Sequence, residues 1–129
     1  MKQPEATFKQ DLNKAFAEVF PLGWCAYVKG LAKSGVPDLH YQTGMLEGQA
    51  GVWVEAKVGA NPLRSTQERE IRQMVVAGSQ VRVVRLIKDS KAPWRVGIRC
   101  VTTALIQREK FCEWKDRATW DFWRAVLLP

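Results

Sequence analysis

The 129 residues predict an α/β fold, a mixed central sheet flanked by helices. Three observations carry that prediction. Residues 35–58 hold two runs of period-two alternation separated by a Gly-studded turn, the pattern of a β-hairpin. Residues 65–87 then pass from an amphipathic helix into a strongly apolar strand. Strand, crossover helix and strand in that order imply parallel pairing with a right-handed connection. Finally, residues 5–20 show helical periodicity ahead of the first strand.

Composition narrows the class. Hydrophobic residues at 47% and charged residues at 26% are ordinary for a globular chain, and the length is enough to bury one core. The formal net charge of +7 favours a polyanionic partner, a trait shared by ribosomal and membrane-surface proteins. The excess is uneven: residues 1–80 carry nine basic and eight acidic side chains, residues 81–129 eleven and five. Cys25, Cys100 and Cys112 make an odd count without metal-ligand spacing and read as reduced, partly buried thiols. Met1 to Glu5 lack the apolar run of a signal peptide, and no segment is long enough to span a bilayer. A soluble, cytoplasmic, single-domain protein is expected, with a core over about 5–101, a helical tail over about 102–129, and no membrane partner.

In the first helix, Phe8, Leu12, Ala15, Phe16 and Val19 share an arc, and Pro4 precedes the first turn, where its missing donor does no harm. Of its acids, Glu5 lies about 40° from the middle of that arc, Asp11 about 80° and Glu18 about 100° at helical spacing. Glu5 is therefore the acid placed to look inward, although an acid in a first turn is also favoured by the helix dipole. Pro21-Leu22-Gly23 breaks the helix, and residues 24–28 read as a first strand. The loop from Lys29 to Gly35 is basic and small, so Lys29 and Lys33 could touch phosphates or be merely solvated. His40, the only histidine, reads as packing rather than catalysis.

The central hairpin carries the chemistry. Its first arm is Gly35-Val36-Pro37-Asp38-Leu39-His40-Tyr41, and its second is Gly51 through Val58. Alternation puts Trp53, Glu55 and Lys57 on one face and Val52, Val54, Ala56 and Val58 on the other. A charged pair in so apolar a strand needs a reason, because burying it unpaired is costly. Two carboxylates beside a lysine can hold a divalent metal and aim a water at a phosphodiester.

After the loop 59–62, Ser65 or Thr66 can cap a helix whose buried stripe is Ile71, Met74 and Val75. Gln67 falls in its first turn, and Ala77-Gly78 closes it as a glycine C-cap would. Val81–Ile87 is the strongest strand. Trp94–Val101 is another, with Arg95, Gly97 and Arg99 on one face and Trp94, Val96, Ile98 and Cys100 on the other. A short helix is expected from Thr102 or Thr103 to about Lys110, and a final one over 119–128 with Trp120, Trp123 and Leu127 in a stripe. That stripe reads as core or dimer contact rather than as a base-stacking platform.

Taken in order, Gly35, Pro37-Asp38, Glu55-Ala56-Lys57, Leu63-Arg64-Ser65-Thr66-Gln67 and Ala77-Gly78-Ser79-Gln80-Val81 resemble the PD-(D/E)xK nuclease superfamily. Within it the likeness is to the VRR-NUC and Holliday-junction-resolvase-like branch. It covers roughly residues 35–87, extended to residue 5 by the first helix, and Gln67 makes it more specific than the Pro-Asp alone. The resemblance implies a restriction-endonuclease-like sheet and a Mg²⁺- or Mn²⁺-dependent, structure-guided endonuclease for branched or four-way-junction DNA. It implies Asp38, Glu55 and the Ala56 carbonyl as metal ligands, and Lys57 as the group that orients water or stabilises the transition state. It further implies Gln67 holding a water or the scissile phosphate, and Glu5 supporting the metal through water.

Arg64, Arg82, Arg85, Arg95 and Arg99 join Lys29 and Lys33 as candidate backbone contacts. Symmetric cutting needs two sites, so a homodimer is expected, with the tryptophan stripe as its contact. The alternatives are an idle nucleic-acid-binding module of the same fold, a DNA or RNA nuclease without junction preference, and a basic partner-binding protein. An intact Asp-Glu-Lys set argues against the first, since clustered carboxylates repel phosphate unless a metal is bound. No helix-turn-helix or zinc finger is visible, so a long specific target is not expected.

Overall fold

The computed structural model describes residues 4–27, 35–43, 51–88, 94–102, 109–114 and 120–127. Helix α1 (Pro4–Val19) precedes strands β1 (Trp24–Tyr27), β2 (Leu39–Gln42) and β3 (Val52–Val58). Helix α2 (Ser65–Val76) follows, then β4 (Gln80–Ile87), β5 (Trp94–Val101), β6 (Glu109–Trp114) and helix α3 (Trp120–Leu127). The strands form one mixed sheet in the order β1-β2-β3-β4-β5-β6. Every neighbouring pair is antiparallel except β3 and β4, which the α2 crossover makes parallel. The α/β architecture expected from the sequence, a mixed sheet flanked by helices, is present.

The two sheet faces have different jobs. One carries Leu39, Tyr41, Val52, Val54, Ala56, Val84, Leu86, Val96 and Ile98 into the core beneath α1 and α3. Phe8, Leu12 and Phe16 fill it from α1, each stabilising by about 1.5–3 kcal/mol through burial. Phe16 meets the Tyr41 and Trp123 rings at 4.8 and 5.3 Å, and Trp114 meets Phe8 and Phe122 at 5.3 and 5.4 Å. The other face carries Glu55 and Lys57 and is covered by α2 over β4 and β5.

Two expectations at the C-terminal end are corrected. Residues 109–110, expected to end a helix, belong instead to strand β6, which pairs with β5 from Trp94↔Trp114 to Arg99↔Glu109. Only Trp114 of that strand is buried, so its sequence carries little apolar alternation to mark it. Trp123 and Leu127, expected to offer a dimer contact, are buried at 0% and 6% exposure in the protein's own core. The Trp120 side chain lies outside the described residues, as do Lys29 and Lys33.

Helix α2 also starts differently. Its N-cap is Arg64, not Ser65 or Thr66. At its other end Gly78, at φ 104°, donates to the Val75 carbonyl while Ser79 donates to Met74, the paired bonds of a Schellman closure.

Candidate active site at the β2–β3 fork

Strand β2 pairs with β3 through Leu39↔Val54, His40↔Trp53 and Tyr41↔Val52. Extended by one residue, that register sets Asp38 opposite Glu55, where the pairing ends. Directly opposite residues share a face, so both carboxylates belong to the side that carries Lys57. Glu55 and Lys57 are each only 4% exposed, whereas the Asp38 side chain is about one-third exposed.

Gln67 is placed by the start of α2. Its Oε1 accepts from the Arg64 N–H at 2.9 Å, and its Nε2 donates to Glu55 Oε1, also at 2.9 Å. The first bond sets the amide orientation and the second fixes the Glu55 rotamer. Gln67 thus holds the carboxylate itself through one of its two amide N–H donors, a contact the resemblance did not imply.

The Pro37-Asp38 segment is held against the same helix turn through Gly35, which has φ 92°; a Cβ there would lie 2.5 Å from the Thr66 carbonyl oxygen. Gly35→Ala is expected to cost about 2 kcal/mol or more, from left-handed strain plus the clash, and to slow the site's chemistry by shifting Asp38. A denaturation midpoint and activity both unchanged would disprove this account of Gly35.

Lys57 Nζ lies 3.8 Å from Glu55 Oε1 and 3.9 Å from Glu5 Oε1, between two carboxylates and tightly bonded to neither. Glu5 Oε1 accepts from Asn61 Nδ2 at 2.6 Å. Asn61 is placed in turn by Arg85, whose Nη1 donates to the Gly59 and Asn61 carbonyls at 2.8 and 2.6 Å. Arg85 thus ties down the β3–α2 loop, a structural task that engages Nη1.

Lys9 is the site residue that the sequence reading missed. One helical turn beyond Glu5, it places Nζ 2.6 Å from Asp38 Oδ2. Its side chain is only 12% exposed. The signal was its i+4 spacing from Glu5, which puts the two on one helix face.

Burial pushes the Glu55 carboxyl up to about 7, opposed by the Lys57 and Lys9 ammonium groups and reinforced by Asp38 and Glu5. Glu5, Lys9, Asp38, Glu55 and Lys57 therefore form one electrostatic unit.

Arg82 is corrected as a candidate phosphate contact. It is 3% exposed, and its Nε, Nη1 and Nη2 donate to the Val126 carbonyl, the Val81 carbonyl and Gln80 Oε1. Its parity explains this, since it shares the core face with Val84 and Leu86. Arg64 is exposed at the α2 N-cap. Arg95 and Arg99 remain on the Glu55 face, but register sets Arg95 opposite Glu113 and Arg99 opposite Glu109. Arg95 also lies 5.6 Å from the Phe111 ring centroid.

His40 packs between Trp24 and Trp53, at ring separations of 5.9 and 4.6 Å. Burial lowers its pKa, which suits a packing role.

No protein-family model matches the chain, and no curated protein matches it. Among solved structures, a Holliday junction resolvase from the archaeal hyperthermophile Archaeoglobus fulgidus is similar, with a TM-score of 0.49 and 17% identity. The likeness covers 73% of this chain and 71% of that one.

Proposed function

We propose that this chain is a divalent-metal-dependent nuclease that hydrolyses phosphodiester bonds of DNA at the β2–β3 fork. The observation that carries this is a buried Glu55 held by Gln67, with Lys57 on the same strand face and Asp38 opposite in register. Burying charge in an apolar sheet is costly without close partners, and Lys57, unlike the fully bonded Arg82, meets carboxylates among the described residues only at 3.8 and 3.9 Å.

The donor set suits Mg²⁺ or Mn²⁺. Asp38 and Glu55 supply hard carboxylate oxygens, and the Ala56 carbonyl is the third protein oxygen proposed. Among the described residues no cluster of three or more His, Cys, Asp or Glu side chains could hold a metal. Two carboxylates with water and a substrate phosphate completing the shell are the usual terms on which Mg²⁺ binds. When bound, the ion would lower the pKa of a water and offset charge on the phosphate.

The protein's own groups do the rest. Lys57, loosely held between two carboxylates, keeps a buried positive charge for the water or the phosphate. Gln67 keeps Glu55 from turning away, and Glu5 stands one ion pair behind Lys57. Supercoiled plasmid incubated with and without Mg²⁺ or Mn²⁺ tests the reading, which fails if neither ion produces nicking.

Preference for branched DNA rests on the resemblance of the sequence motifs to the junction-resolvase-like branch. A gel comparing four-way junction, flap, linear duplex and single strand checks it, and equal rates on all four would leave a general nuclease. Paired nicks across a junction would need two sites, which a homodimer supplies through a surface other than Trp123 and Leu127. Light scattering at micromolar concentration decides that point.

Arg95→Gln with Arg99→Gln should weaken DNA binding and lower the slope of affinity against salt by roughly one to two, less than two full phosphates because each arginine faces a glutamate. An unchanged slope would make that face merely solvated. A second reading, an idle DNA-binding module, is favoured by one observation: the Lys9 ammonium already rests on Asp38.

A further inference from the structure

The geometry points to Lys9 as a tethered cation that holds one carboxylate of the divalent-ion site and sets how tightly the ion binds, an inference that rests on the nuclease reading of the site. Lys9 Nζ sits 2.6 Å from Asp38 Oδ2 across 29 residues of sequence. A charge-assisted bond that short is among the stronger side-chain contacts, and here it engages a carboxylate assigned to the ion.

The charge count shows why a cation is needed there. Among the described residues of the site, Glu5, Asp38 and Glu55 carry three negative charges when ionised, against two positive charges on Lys9 and Lys57. Lys57 stands between Glu55 and Glu5, so Asp38 has Lys9 as its short partner. Without Lys9, no ammonium among the described residues would be ion-paired with half-buried Asp38 in the metal-free site.

A divalent ion bound through Asp38 competes with that ammonium for the same carboxylate. Lysine suits this exchange, because its compact charge rides on a flexible four-carbon stem and can swing away without moving α1. The ion's apparent affinity is then reduced by the work of breaking the Lys9–Asp38 pair.

The test is Mn²⁺ titration by calorimetry of the full chain, wild type against Lys9→Met and Lys9→Arg, with melting temperatures in chelator as a second readout. Lys9→Met should bind Mn²⁺ about tenfold more tightly, equivalent to about 1.4 kcal/mol, and melt lower than wild type without metal. Lys9→Arg keeps the charge and should stay within about threefold of wild type, on that same scale. Tighter Mn²⁺ binding by Lys9→Met alone supports the assignment, even if wild type binds none. Equal or weaker binding by Lys9→Met overturns it and leaves the nuclease reading standing. No binding by any of the three proteins overturns both.

Discussion

Glu55→Gln is expected to abolish cutting while making the metal-free protein more stable above neutral pH. Loss of cutting follows from removing one of two carboxylates assigned to the ion, and should be at least about 10²–10³-fold, the scale at which a single preorganised charge-stabilising group acts. The stability change has a different origin. The Glu55 carboxyl, ordinarily near 4.5, is pushed up to about 7 by burial, so the fold prefers the neutral acid.

A raised folded pKa contributes stability that is fully present below the unfolded value and is lost as pH rises through the folded one. The window is therefore about pH 4.5 to 7, and the loss amounts to roughly 3 kcal/mol across it. Glutamine keeps an acceptor for Gln67 and cannot ionise, so it escapes that loss. In chelator, the melting temperature of Glu55→Gln should exceed that of wild type at pH 8 and the gap should close toward pH 5. A gap independent of pH would sink the argument, whereas retained nicking by the variant would sink the assigned role.

Arg82→Ala should be the most destabilising of the arginine substitutions, by about 3 kcal/mol, with a fall of about 10 °C in melting temperature. The guanidinium is 3% exposed and makes three hydrogen bonds, the key one reaching 44 residues along the chain to the Val126 carbonyl. Val126 is in the last turn of α3, where carbonyls lack helical partners and a cation is favoured by the dipole. Truncation leaves the buried Val126 and Val81 carbonyls without that donor. Since α3 supplies Phe122 and Trp123 to the core, the loss spreads into packing. At concentrations where the variant remains folded, its DNA affinity should keep the wild-type salt slope. A flattened slope with normal stability would restore Arg82 to the phosphate-binding surface and overturn the structural role.

The central hairpin, the α2 crossover and the α1 core stripe were legible in the sequence because their signals are local. Period-two alternation from 51 to 58 puts Glu55 and Lys57 on one face whatever else the chain does, and the Phe8, Leu12 and Phe16 spacing marks the buried side of α1. Strand β6 was not legible, because an exposed edge with one buried residue has no apolar period to show.

The composition of the site was half legible. Asp38, Glu55 and Lys57 could be named from type and spacing and Gln67 from the family resemblance, but their roles depended on contacts. Whether Gln67 faces water or Glu55 turns on how α2 sits against β3. Lys9 reaches Asp38 across 29 residues, Asn61 reaches Glu5 across 56, and Arg82 reaches Val126 across 44. Such pairings are set by sheet register and helix docking, which no local pattern encodes. Sequence by itself therefore determined which faces are apolar and which strand carries the charges. Only the tertiary structure decided which charges meet, because burial and register choose a partner for each buried polar group after the chain has folded.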